Sequence, residues 1–454
     1  MTRLTILDQD EIDALYKSPK FSYAEKESFF ILSDKDTVYL NDSCTHVPTK
    51  INYILQLGYF RAVQYFFPVS FFCVREDVKF IITKYFEGSI FPKQNISPRA
   101  HYKNQKMIQK IYHFRPATKY FLETLRKQGQ RTAKLDSKAK SIFYELLNYC
   151  NQKQVIRPVY SRLQTIVSLL LRKERTRLCY KLKTLLDVPT KNLLKNLLTT
   201  EELFYKLTLL RKDPKDFSTR EIQKELKKRD YISAIFYEAE KILPIMDISN
   251  QNIQYYASLA EFYDVSKLRR LNSGMVHMYL LCFSWIRFKE INDHLVSYFI
   301  YKTNYYIKES THYSEKEIYK AKLIYDSDRS KAGKILKVLS NQRNEDHELR
   351  PKVYKIVSEE NFMKFTKRFN KPNFDNSSYE WQYYSKARHK IKTNLRPVFK
   401  VVDWRCQKKV ELFNAVSFLL SYFERSKIFK KYKLSEIPMS FFPKRLKRYL
   451  KQKK

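Results

Sequence analysis

Glycine is nearly missing. The 454 residues contain five, at positions 58, 88, 129, 274 and 333, where an average usage of about 7% predicts about thirty. Loops that cradle phosphates need glycine for tight turns and close backbone approach, so a Rossmann or P-loop enzyme is excluded. Acidic residues are also short, 47 Asp and Glu against 87 Lys and Arg, for a formal charge of +40. The six cysteines, at 44, 73, 150, 179, 282 and 406, form no CxxC pair and have no histidine at metal-ligand spacing. They read as small core hydrophobes in a reducing cytosol. No apolar run reaches the roughly 18 residues of a membrane span, the nearest being VHMYLLCFSWI at 276–286. The N-terminus MTRLTILDQDEIDAL is polar from the start and carries no signal segment. A soluble, cytoplasmic protein is expected, with neither a membrane nor a small molecule as its partner. GxSxG and HExxH are absent, as is any strand-rich block able to supply the central sheet of a nuclease core. Carboxylates such as Glu221, Glu225 and Glu238 stand beside lysines, as solvated helix faces require. No catalytic residue, metal ligand or cofactor is assigned, and the chain is not expected to act as an enzyme.

What is present is charge and helical periodicity. Excess positive charge of this size points to a polyanion, and apolar residues recur at spacings of three and four throughout. The expected fold is all-α, a multi-domain helical protein with helix-turn-helix-like units. Four regions are expected. Residues 1–120 form an N-terminal helical DNA-binding domain and 121–245 a second one. Residues 246–310 form a buried, dimerising helical region, and 311–454 a helical linker. In the first, a helix capped at Ser33 precedes one over TKINYILQLGYFRAVQYF, which turns Ile51, Ile54, Leu55 and Leu57 inward and leaves Lys50 and Arg61 outside. The Pro/Asn/Ser patch FPKQNISPRAHYKN then separates it from MIQKIYHFRP, which contains Arg115. The third region reads as two helices meeting at 272–274, with His277 and His294 as ordinary packed or half-buried histidines.

The second region holds the densest basic stretch, VIRPVYSRLQTIVSLLLRKERTRLCYKLK at 155–183. The helix SIFYELLNYC, a link and a second helix capped by Ser161 outline a helix-turn-helix. Leu163, Ile166, Val167, Leu170, Leu178, Leu182 and Leu185 supply an apolar stripe. Outside it fall Arg162, Arg172, Lys173, Arg175, Arg177, Lys181 and Lys183, opposed by Glu174 alone. Arg157, Arg162 and Gln164 stand where base readers or phosphate anchors would be. A helical hairpin with a merely basic solvent face has the same outline.

The order of segments resembles the N-terminal half of replicative transposases of the Tn-three family. LSDKDTVYLNDSCTHVPTKINYILQLGYFRA at 32–62 and MIQKIYHFRP at 107–116 are similar to its first domain, and VIRPVYSRLQTIV at 155–167 to its second helical segment. YYASLAEFYDVSKLRRL at 255–271 and LLCFSWIRFKEINDHLVSYF at 280–299 resemble the next block. LRPVFKVVDWRCQKKVELFNAVSFLLSYF and IPMSFFPKRLKRYL are similar to the stretch ahead of the catalytic domain. The resemblance implies that the DDE active site lies in an RNase-H-like domain beyond the last residue here. It also implies a nucleoid-associated bacterial protein that binds the terminal inverted repeats of a transposon as duplex DNA, with a second copy or a separately encoded catalytic half as partner. Two other classes remain open: a nuclease with a dispersed carboxylate cluster, and an RNA-binding or scaffold protein with a generic basic surface, in which aromatics as in KIYHFRPATKYF stack bases.

Overall fold

The computed structural model describes residues 4–201, 204–404 and 414. Among them are eighteen α-helices and one antiparallel pair of two-residue strands, so the fold is all-α. No described helix is long and apolar enough to cross a membrane. The chain divides into two compact units, one running to Arg211 and including Ala234–Arg287, the other taking Lys212–Ser233 and the chain from Phe288.

The first unit opens with α1 (Gln9–Tyr16), α2 (Tyr23–Phe29) and α3 (Asp34–Ser43). Each starts in a reciprocal capping box: Asp8 with Glu11, Ser22 with Glu25, Ser33 with Asp36. Two orphan amides are satisfied at each start, which fixes three short helices of little intrinsic stability. α4 (Val47–Val63) is buried on every side from Ile51 to Phe60. A helix without an exposed face needs neighbours all round, and α2, α5 (Arg75–Tyr85) and α6 (Pro98–Ile111) pack on it. Gly58 makes this possible, since a Cβ there would fall 2.3 Å from the Phe30 ring. α6 begins inside the Pro/Asn/Ser patch. Ser97 accepts from the Ala100 amide and Pro98 takes the first helical position, where its missing N–H costs nothing.

α7 (Lys119–Leu135), α8 (Ala139–Gln152) and α9 (Tyr160–Leu185) pack against one another. Leu125, Phe143, Leu146, Leu163, Ile166, Val167 and Leu170 form their core. Gly129 lets α7 approach closely, for a Cβ would stand 2.4 Å from Leu170 Cδ1. The apolar stripe of α9 is buried as expected, except that Leu185 is half-buried and Leu186, just past the helix, takes the core place. The helix starts one residue before Ser161, with Val159 in the cap position and no side-chain cap bond. The unit continues through α10 (Val188–Asn196), β1 (Thr200–Glu201), β2 (Phe204–Tyr205) and α11 (Lys206–Leu210). It is completed by part of α12 (Thr219–Ile245), by α13 (Asn250–Phe262) and α14 (Val265–Arg270), and by the start of α15 (Ser273–Ser340).

In the second unit α15 continues through the charged stretch after residue 310, with no proline in its 68 residues and its next glycine, after Gly274, at 333. α16 (Asp346–Tyr354) and α17 (Glu359–Asn370) share a small core with it, built on Ile335, Val353, Val357 and Phe365. Arg368 Nε reaches Asp328 at 3.1 Å. α18 (Asn376–Val401) is tied on by Asn394 Nδ2 donating to Tyr306 Oη at 2.7 Å. Glu225, fully buried, meets Lys228 and His294 Nδ1, so His294 is half-buried and polar-bonded. IPMSFFPKRLKRYLKQKK, nearly all of the preceding resembling block after Trp404, and Cys406 lie outside the described residues. Of the other cysteines Cys44, Cys150 and Cys282 are buried and Cys179 half-buried, but Cys73 is exposed and no core residue.

Candidate nucleic-acid interface

The residues expected to face a polyanion divide sharply. Arg61 turns inward: Nη1 donates to the carbonyls of Phe29, at 3.1 Å, and Ile31, while Nη2 reaches Tyr112 Oη and stands 3.5 Å from Asp36 Oδ2. Asp36 is fully buried and also accepts from Ser33 Oγ at 2.6 Å, Tyr53 Oη at 2.6 Å and Tyr112 Oη at 2.8 Å. Burial first, and the carboxylate after it, push the Tyr53 phenol well above its ordinary range. An expectation of exposure is therefore corrected, because Arg61 lies among carbonyls that helix packing leaves without amide donors.

Arg157 is corrected in the same way. It is buried, with Nη1 on the Leu15 carbonyl at 3.4 Å and Nη2 on that of Val63. Burial lowers its pKa, and no carboxylate answers it among the described residues. It clamps three segments of the first unit and is closed to a base or phosphate. Gln164 donates through Nε2 to the Leu4 carbonyl at 2.8 Å, and the Tyr160 hydroxyl accepts from Ile6 N at 3.3 Å. The N-terminal strand of chain thus covers the start of α9, where a recognition helix would present its readers. Arg115 has an exposed side chain on a backbone that bridges to Val155, and Lys50 is half-buried.

Farther along α9 the pattern changes. Arg177 Nε and Nη2 hold buried Glu174 at 2.9 and 2.6 Å, and its Nη2 and Lys181 Nζ donate to the carbonyls of Asp247 and Met246, at 3.0 and 3.2 Å. Those carbonyls follow the C-terminus of α12, where cations are favoured by the helix dipole. Arg162, Arg172, Lys173 and Lys183 are exposed, Arg175 is half-buried, and none is ion-paired among the described residues.

Two groups missing from the sequence reading join them. On α7, Lys127 and Arg131 stand four residues apart and line, with Lys173 and Glu174, a cleft of about 410 Å³, while Lys134 in the same wall is paired with Asp247 at 3.5 Å. On α10, Lys191 and Lys195 stand one turn apart. With Arg172, Arg175 and Lys183 of α9 they surround a cavity of about 900 Å³ whose far wall is 272–277, the start of α15. No acidic side chain lines it. The i, i+4 spacing of 127, 131 and 191, 195 was legible, but nothing in the linear order places α7 and α10 on either side of α9. His277 is 9% exposed and lines this cavity without a hydrogen bond to any described residue. Burial, then the charges of Lys195 and Lys191, lower its pKa. Among the described residues no three His, Cys, Asp or Glu side chains converge as a metal site would require.

Residues 6–169 match a domain of unknown function (DUF4158), one found in transposases of the Tn-three family. The match spans α1 to the first half of α9, which includes the buried Asp36 and Arg157 networks. A comparison with curated proteins returns no match.

Proposed function

We propose that this chain binds duplex DNA through the C-terminal half of α9 with the flanking lysines and arginines of α7 and α10. In this reading it serves as the end-binding part of a Tn-three-like transposase, contacts the terminal inverted repeats, and performs no strand transfer by itself. A second copy or a separately encoded catalytic chain would complete the machinery.

The observation that carries the proposal is a run of cations that form no ion pair among the described residues, Arg172, Lys173, Arg175 and Lys183 on one helix, joined by Lys191 and Lys195 on the next. Paired cations contribute little to polyanion binding because their charge is already answered. Unpaired ones release condensed counterions when they meet phosphates. The DUF4158 match is consistent with the assignment to a transposase.

Fluorescence anisotropy across a salt series tests it, using the terminal duplex of the protein's own element and a scrambled duplex. Tighter binding to the true end, retained as salt rises, is the expected result. Equal and steeply salt-dependent binding to both would reduce the surface to a generic basic face. Preference for single-stranded RNA over either duplex would replace the proposal with an RNA-binding role.

A further inference from the structure

The cavity between α9, α10 and the start of α15 differs from the rest of the cationic surface in being concave. Its volume of about 900 Å³ lies in the range of roughly 300–1,000 Å³ typical of pockets that enclose one small molecule. A duplex passes over such a mouth and does not enter it. Three features of the wall define what fits. Arg175, Lys191 and Lys195 supply charge from two helices with no carboxylate between them. The first turn of α15 opens on the same space, with Asn272 Oδ1 accepting from the Gly274 amide at 2.9 Å and so fixing the start of the helix. The positive end of a long helix favours an anion there. Independently of that dipole, His277 stands in the wall nine-tenths buried and without a hydrogen-bond partner among the described residues. An imidazole in a cavity wall with no protein partner among the described residues can donate to an anion that enters. The rim carries Tyr180, 71% exposed, with its ring free to lie against a planar group.

We propose that this cavity seats one phosphorylated nucleotide, its phosphate held by Arg175, Lys191, Lys195 and His277 at the start of α15 and its base stacked on Tyr180. The inference deepens the DNA-binding reading and rests on it for the source of the ligand: a strand end, or a nucleotide unpaired from a duplex lying across α9. A free mononucleotide presents the same chemistry.

The full chain is titrated with three probes: a blunt duplex without terminal phosphates, the same duplex with one unpaired 5′-phosphorylated nucleotide, and adenosine 5′-monophosphate. The overhang duplex is expected to bind roughly tenfold more tightly than the blunt one, from one stacked base and a charge-assisted contact. That ratio is expected to fall toward one in His277→Gln and in Tyr180→Ala, the second altering only an exposed ring and so leaving the fold intact. Binding of the mononucleotide with the same losses, and no overhang preference, identifies the free nucleotide as the ligand and upholds the seat. Equal binding of blunt and overhang duplexes with no mononucleotide binding overturns the seat while the duplex reading stands. An overhang preference untouched by Tyr180→Ala and His277→Gln overturns it too. Binding of the mononucleotide alone removes the duplex reading and keeps the seat, and failure to bind any probe removes both.

Discussion

Two cationic regions of the first unit have opposite fates. Where α4 meets the start of α9, Arg61 and Arg157 point inward onto the carbonyls of Phe29, Ile31, Leu15 and Val63 and, for Arg61, onto buried Asp36. In the second half of α9 and on α10, Arg172, Lys173, Arg175, Lys183 and Lys195 form no ion pair among the described residues, and Lys191 has only Asp187, four residues before it, within electrostatic reach. A guanidinium goes where acceptors without donors are fixed near it. Helix ends and loops leave such carbonyls around the first region, and at the second those of Met246 and Asp247 are already taken by Arg177 and Lys181. One region is a set of internal clamps and the other a free electrostatic surface.

The sharpest way to break the comparison is Asp36→Ala. The change removes the acceptor of five donors, the Ser33 amide and hydroxyl, the Tyr53 and Tyr112 hydroxyls and Arg61 Nη2, so unfolding free energy should fall by about 3–5 kcal/mol, measured by chemical denaturation. A loss under about 1 kcal/mol would show that the tyrosines and Arg61 find other partners. Arg157→Met comes next, with a loss of about 2 kcal/mol as two carbonyls lose their donor. Its salt slope for DNA binding should stay at the wild-type value, and a shallower slope would return Arg157 to the interface. Gly129→Ala should cost about 1–3 kcal/mol by forcing α7 away from Leu170, and an unchanged thermal midpoint would contradict that close approach. Arg172→Gln with Lys173→Gln should alter stability by less than about 0.5 kcal/mol. Each lost phosphate contact should reduce the salt slope by about 0.9. If the slope does not move, this stretch lies off the DNA.

The smallest effect expected is that of pH at His277. Arg172, Arg175, Cys179, Tyr180 and Lys183 on α9 and Lys191 and Lys195 on α10 line the cavity with it, and no carboxylate joins them. Its pKa is depressed in the folded chain, so as pH falls through the ordinary histidine range near 6.5 the unfolded chain takes the proton first and stability declines. A bound phosphate favours the protonated ring and reverses the sign. Because the 5′-phosphate itself titrates at about pH 6, the readout is the ratio of wild-type to His277→Gln affinity for the phosphorylated overhang, which should rise between about pH 7 and 5.5; a ratio that stays constant removes His277 from the contact.

Much of the fold was legible in the residues. The Ser33 cap, the helix over 47–63 with Ile51, Ile54, Leu55 and Leu57 inside, and the stripe from Leu163 to Leu182 depend on local spacing, which sequence carries directly. The helix start at Pro98 was also written there, as a Ser-Pro pair, but a patch rich in turn formers masked it. Of the site, Arg172, Lys173, Arg175 and Lys183 could be read as a basic helix face, whereas Lys127, Arg131, Lys191 and Lys195 belong to helices that only packing brings beside it.

The sequence alone determined the helical class, the apolar stripes and the excess of positive charge, because each follows from composition or from a period of a few residues. Tertiary structure alone decided which cations are free. Arg61 and Arg172 are indistinguishable as residues on an amphipathic helix, and their difference lies in acceptors at Phe29, Ile31 and Asp36, some 25 to 32 positions away along the chain. Long-range packing supplies those acceptors to one guanidinium and withholds them from the other, and a charge left without an internal partner remains available to an external one.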